Sequence, residues 1–166
     1  MSNSKKISYL FTDGSVNPQS EIGFGAYLFL QNEEFFCAEL AKEIKIKKFD
    51  NTSSTKLELE TLLWALGEVS LQNCKVVVYT DCQNIIGLSA RREGFQKKNY
   101  MTSKGKLIKN HALYKDFFKK IDILDCEFIK VKGHKKSSQK NNIDEIFTLV
   151  DKASRNALRI MKFSSS

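Results

Sequence analysis

Residues 7–15, Ile-Ser-Tyr-Leu-Phe-Thr-Asp-Gly-Ser, constrain this chain more than any other stretch. The run up to Phe11 is apolar enough for a strand buried in a sheet. It ends on a single carboxylate, Asp13, before Gly14 and Ser15 turn the chain. A central strand fixes such an acid in space, and the glycine lets a ligand approach the backbone. Alone, Asp-Gly-Ser is equally ordinary turn chemistry. A second stretch repeats the pattern. Residues 75–80, Lys-Val-Val-Val-Tyr-Thr, read as a strand covered on both faces, and Asp81 follows at once. Two strand-end aspartates in a sheet flanked by helices point to a site beyond the strand ends.

Residues 23–30 form another strand, whose glycines mark a close approach or a bulge. A third is expected over residues 35–46, after a polar turn at Asn32-Glu33. With the first strand these make an antiparallel meander. Residues 55–70 have helical spacing, with Leu59, Leu62, Leu63, Leu66 and Val69 on one face. Glu58 falls in the expected first turn, where an acid also suits the helix dipole. Glu60 is about 200° further round and cannot face the same site. A helix opening at Cys82 runs into a basic segment. Residues 111–121 read as an amphipathic helix with Leu113, Phe117 and Phe118, and residues 127–132 as the fifth strand. Gly133-His134 opens a polar loop. The last helix begins near Asn142, with Ile146, Phe147, Val150, Ala153, Ala157, Leu158 and Met161 on its apolar face. Asp151 borders that face, so it needs a cation or donor, and Arg155 at i+4 is one partner. With no internal repeat and one proline, residues 1–166 are expected to form a single α/β domain. Its core covers about 7–162, with helices on both faces of the sheet.

The net charge of +8 is unevenly spread. Residues 89–110 hold Arg91, Arg92, Lys97, Lys98, Lys104, Lys106 and Lys109 against Glu93 alone, whereas the rest of the chain is nearly balanced. Such concentration favours a polyanion, most plausibly nucleic acid, though a solvated loop would look the same. Phe95 and Tyr100 either stack on bases or anchor this basic handle to the domain. No apolar run is long enough for a membrane span, and the first residues lack the apolar core of a secretory signal. Cys37, Cys74, Cys82 and Cys126 have no Cys-x-x-Cys spacing, and His111 and His134 are the only histidines. The thiols are therefore expected to be reduced, mostly buried, and without zinc, in a cytoplasmic protein.

The chain resembles type I ribonuclease H. The resemblance rests on Thr12-Asp13-Gly14-Ser15 with Gly23-Phe24-Gly25-Ala26, on Lys56-Leu57-Glu58-Leu59 with Ala65-Leu66, and on Tyr79-Thr80-Asp81 with Gln83. The basic handle ending at Lys109-Asn110 follows, then Val131-Lys132-Gly133-His134, and Asp151 with Arg155. In order, these motifs cover nearly the whole chain. The resemblance implies a five-stranded mixed sheet, three strands antiparallel and two parallel. It further implies that Asp13, Glu58, Asp81 and Asp151 hold two magnesium ions, with manganese as a substitute. The activity implied is endonucleolytic hydrolysis of the RNA strand of RNA–DNA hybrids, leaving 5′-phosphate and 3′-hydroxyl ends, by a monomer. His134 would shuttle a proton or aid product release. Gly14, Ser15 and Glu58 would meet 2′-hydroxyls of the RNA, while Ser54, Thr55, Gln83, Arg91, Arg92, Lys97, Lys98 and Asn110 would complete the substrate contacts. The match selects Asp151 over Asp144, which stays in reserve seven residues earlier on roughly the same helix face.

Three departures stand out. Ser54-Thr55 replaces an amide pair, Cys82 replaces a serine after the third acid, and the loop from His134 to Asp151 is long. The alternative is a non-catalytic module on the same fold that holds hybrid or double-stranded RNA. A related nuclease with another substrate is a third reading. Four like charges brought together burden stability, so their retention counts against the non-catalytic module.

Overall fold

A computed structural model describes residues 5–31, 39–132 and 141–164. Five strands form one sheet: β1 (Lys6–Asn17), β2 (Ile22–Leu30), β3 (Lys45–Phe49), β4 (Cys74–Thr80) and β5 (Asp125–Lys130). Their spatial order is β3-β2-β1-β4-β5. β1 to β3 pair antiparallel, and β4 joins β1 and β5 in parallel. β1 is therefore central, and Ser8–Asp13 is buried without a break.

Helices cover both faces. On one side lie α1 (Ser54–Glu68), α2 (Gln83–Ile86), α3 (Leu88–Lys97) and α4 (His111–Ile123). Their core packs Leu59, Leu62, Ile85, Leu88, Phe117 and Phe118 against Leu10, Val76 and Val78. On the other, α5 (Asn142–Ser164) lays Ile146, Phe147 and Val150 against Tyr9, Phe11, Leu28 and Val77. The alternation of β1 thus sends Phe11 and Asp13 toward α5, and Leu10 and Gly14 toward α1.

The third strand differs from expectation. Leu40–Glu43 is a 3-10 turn, the strand is Lys45–Phe49, and residues 35–38 lie outside the described residues. β3 is an edge strand, and Lys45, Ile46, Lys47 and Lys48 are exposed, so its sequence carries little apolar signal. Lysine on an edge also discourages pairing with another chain. The helix expected after Asp81 is split at Gly87, and its second half carries the handle. Cys74, Cys82 and Cys126 are free thiols near strand or helix ends, partly buried against the core, and Cys37 lies outside the described residues.

The aromatic residues of the handle act as its anchor. Phe95 stacks on Tyr114 with ring centres 5.1 Å apart and on Tyr100 at 5.8 Å. Tyr100 is buried in a left-handed conformation (φ 57°), and its N–H donates to the carbonyl of Phe95 at 2.8 Å.

Candidate active site

Two strand ends converge because of register. β1 and β4 pair in parallel up to Phe11 opposite Tyr79, and Asp13 and Asp81 each follow two residues later. The repeated Thr-Asp pair is thus one structural feature seen on neighbouring strands. Glu58 arrives from α1, whose helix begins one residue earlier than expected. Ser53 caps it by accepting from the N–H of Lys56 at 3.4 Å. Glu58 is therefore the fifth helical residue, beyond the first turn, and the capping explanation for it fails.

Glycines let α1 come close enough. A Cβ on Gly14 would stand 2.8 Å from Leu57 Cδ2, and one on Gly25, directly opposite Gly14 across the β1–β2 pair, would collide with Thr61. Leu57 and Thr61 bracket Glu58 on the helix, so this close seat presses the glutamate toward Asp13. Oxygen atoms of Asp13, Glu58 and Asp81 all lie within 4.8 Å of one another.

Asp151 closes the fourth side from α5, where it is hydrogen-bonded to Asp13. It also pairs with Arg155, Nε to Oδ1 3.0 Å, which is the i+4 partner foreseen from the sequence. The hydroxyls of Ser15 and Ser154 meet at 3.2 Å and tie α5 to the end of β1. Asp144 stands elsewhere. It exchanges hydrogen bonds with Asn141, 3.1 and 2.9 Å, closing the start of α5 as a capping box. Glu60 accepts from Thr52 Oγ1 at 2.6 Å, away from the acids.

The electrostatics follow from crowding. Burial, then the nearby Glu58 and Asp81, pushes the Asp13 carboxyl up to about 9. Burial and then Asp81 push Glu58 up to about 8, against the opposing hydrogen bond from the Gly14 backbone. Glu58 Oε2 is buried with no hydrogen-bond partner among the described residues. Buried acceptors rarely go unpaired, and a cation would satisfy this one. At neutral pH the pocket by itself retains protons; a cation binding there displaces them.

These residues line a cleft of about 340 Å³ formed by Asp13, Gly14, Ser15, Ser54, Glu58, Asp81, Cys82, Asp151 and Arg155. Arg155, expected only as a partner for Asp151, thus faces the cleft as well. Thr55, Gln83, Arg91, Arg92, Lys97, Lys98 and Asn110 are not part of its wall. Gln83 Oε1 accepts from Lys130 at 2.7 Å, and Asn110 opens α4 with φ 65°. A larger cleft of about 720 Å³ lies in the handle, lined by Arg91, Phe95 and Lys98 among others. Size does not mark the reactive site here; converging carboxylates do. His134 lies outside the described residues.

Residues 5–157 match the RNase H family along nearly the full length of this fold. The chain belongs to the RNase H family. It is 30% identical to ribonuclease H of Acetivibrio thermocellus over 87% of this chain and 93% of that protein. It is 29% identical to ribonuclease H of Novosphingobium aromaticivorans over 82% and 91%. It is 28% identical to ribonuclease HI of Shewanella oneidensis over 85% of each. The mixed sheet and its helices are the RNase H-like fold. Among the described residues no helix is long and apolar enough to cross a membrane.

Proposed function

We propose that the chain is an endonuclease that hydrolyses the RNA strand of RNA–DNA hybrids with two divalent cations, leaving 5′-phosphate and 3′-hydroxyl ends. One observation carries the reading: carboxylates from two strand ends and two helices share one cleft, with an unpaired buried oxygen on Glu58. The donor set fits the cations. Every candidate ligand is a carboxylate oxygen, which suits magnesium, or manganese in its place, over softer metals. Bound there, the cations would supply an activated water and charge stabilisation at the reacting phosphate.

The chain's own residues account for the rest. Asp13, Glu58, Asp81 and Asp151 hold the cations. The cleft backbone at Gly14 and Ser15, open to a close approach, meets the RNA strand. Ser54, at the start of α1, offers a hydroxyl to a phosphate, and Thr55 is exposed beside it. Arg155 balances Asp151 at the cleft wall. The handle holds the duplex through backbone phosphates, which gives little sequence preference. His134 would move a proton or assist product departure. The protein is taken to act as a cytoplasmic monomer, one domain carrying core and handle together.

Internally labelled hybrid incubated with magnesium, with EDTA, and with Asp13→Asn in place of the parent tests the reading. Magnesium-dependent cutting by the parent and loss in the variant are expected. Binding without cutting by the parent would favour the non-catalytic module. Cutting of duplex DNA in place of hybrid would favour a related nuclease on the same fold.

A further inference from the structure

A second groove opens from the acid cleft. Its volume is about 490 Å³, with Ser15, Val16 and Asn17 of β1 on one wall and Arg155, Arg159 and Lys162 of α5 on the other. The three cations fall at i, i+4 and i+7, one face of the helix. Among the described residues no acidic side chain lines this groove. Arg159 has no acidic partner among the described residues and is exposed. Ser15 and Arg155 line both the groove and the acid cleft, so the two are continuous.

We propose that this groove is a phosphate track for the strand that is cut, continuing its contact beyond the cleft. The inference rests on the nuclease reading above. A strand whose phosphate sits among the acids has neighbouring phosphates on both sides. On this side the next surface it meets is basic and concave. Arg155 to Lys162 spans about 10 Å of helix. That length accommodates two or three phosphates, at roughly 3.4 Å of axis per strand charge. Arginine suits this work because its planar fork takes phosphate oxygens in pairs. The track is separate from the handle, whose cations belong to α3 and the segment after it.

The test uses the full chain carrying Asp13→Asn, so that hybrid persists during binding, with and without Arg159→Ala plus Lys162→Ala. Both substitutions are at exposed helical positions, where alanine is well tolerated. Affinity for a labelled hybrid is measured across salt concentrations. The expected result is a salt slope shallower by about one unit for each lost contact, so about two for the double variant. Arg159→Lys should restore part of it. With a hybrid whose cut strand ends at the cleft, the difference should disappear. An unchanged slope on the long hybrid overturns the track, and so does an equal loss on both hybrids. The parent chain is assayed for cutting in parallel. If it cuts no hybrid while the slopes still differ, the nuclease reading fails, and the groove is left as a phosphate contact for a bound strand that is not cut.

Discussion

The acid cleft and the basic handle are opposite in charge and in how they are built. The acids hang from the most buried part of the molecule, and strand register together with the glycine-cushioned seat of α1 leaves them little freedom. The handle rests on an aromatic stack of Phe95, Tyr100 and Tyr114, with its cations outward. Several of those cations are already engaged. Arg92 forms a fork to Asp122 at 2.6 and 2.8 Å, Lys97 pairs with Glu93 at 3.0 Å, and Arg91 lies over Phe95 while donating to Asn84 at 2.7 Å. Like charges in the cleft are held together at a cost in stability, whereas the handle's charges are spread and partly neutralised. Perturbing the cleft should therefore change chemistry and stability in opposite directions, while perturbing the handle should change binding modestly.

The sharpest break in that contrast is Asp13→Asn. Losing one cation ligand removes several kcal/mol of transition-state stabilisation, so activity on labelled hybrid should fall about 10³-fold or more. Stability should move the other way. In EDTA at pH 8 the variant no longer has to take up a proton in order to bury this carboxyl, a gain of about 1–4 kcal/mol. Melting should rise by roughly 2–4 °C for each kcal/mol. A variant that melts lower than its parent in EDTA would contradict the crowding argument.

The parent's own pH dependence tests the same point without mutation. The Asp13 carboxyl titrates at about 9 in the folded chain against an ordinary 3.8, and Glu58 at about 8 against 4.5. Between those limits the folded state binds more protons than the unfolded one, so stability falls as pH rises. The contribution is complete below about pH 4 and gone once pH passes 8 to 9. Melting in EDTA from pH 5 to 9 should show this decline, and magnesium should flatten it.

Much of the molecule was legible in the chain because apolar runs mark buried strands. β1, β2 and β4 declare themselves, and so does the leucine face of α1. β3 does not, since an edge strand of exposed lysines needs no apolar pattern. The pairing of Asp13 with Asp81 was half visible. The repeated Thr-Asp shows in the sequence, but only the sheet register makes the two acids neighbours. Glu58 was legible by its motif and misplaced by its turn, because Ser53 rather than a later residue caps the helix. Phe95 and Tyr100 were left between two roles, and local stacking decides for anchoring. The groove beside α5 left one faint sign, the spacing of Arg155, Arg159 and Lys162. Its other wall lies some 140 residues away in the chain and only folding brings it there.

Gly25→Ala should show how closely α1 must sit. The added methyl meets Thr61, and overpacking of this kind costs about 1–3 kcal/mol. Thr61 Oγ1 has no hydrogen-bond partner among the described residues, so Thr61→Ala alone should cost little. Combined with Gly25→Ala it should recover part of the loss, a coupling of roughly 0.5–3 kcal/mol. Activity should fall further than melting does, because Glu58 moves with the helix. Equal losses of both would mean the seat serves stability only.

The handle yields the smallest effects, and Arg92 gives the finest distinction. Its fork to Asp122 is at the surface, so Arg92→Ala should barely move the midpoint of a denaturant titration. If the guanidinium is spent on Asp122, that substitution leaves the salt slope of hybrid binding nearly unchanged. Lys98→Ala should flatten the slope by about one contact. Asp122→Asn then becomes the informative variant. It releases Arg92 while leaving the ring of Phe118 beneath it at 5.1 Å, and should steepen the slope by about one unit. A steeper slope from Asp122→Asn with no change from Arg92→Ala would mean that the handle keeps one cation in reserve behind its own acid. The reverse pattern would mean that Arg92 already reaches phosphate and that Asp122 merely orients it.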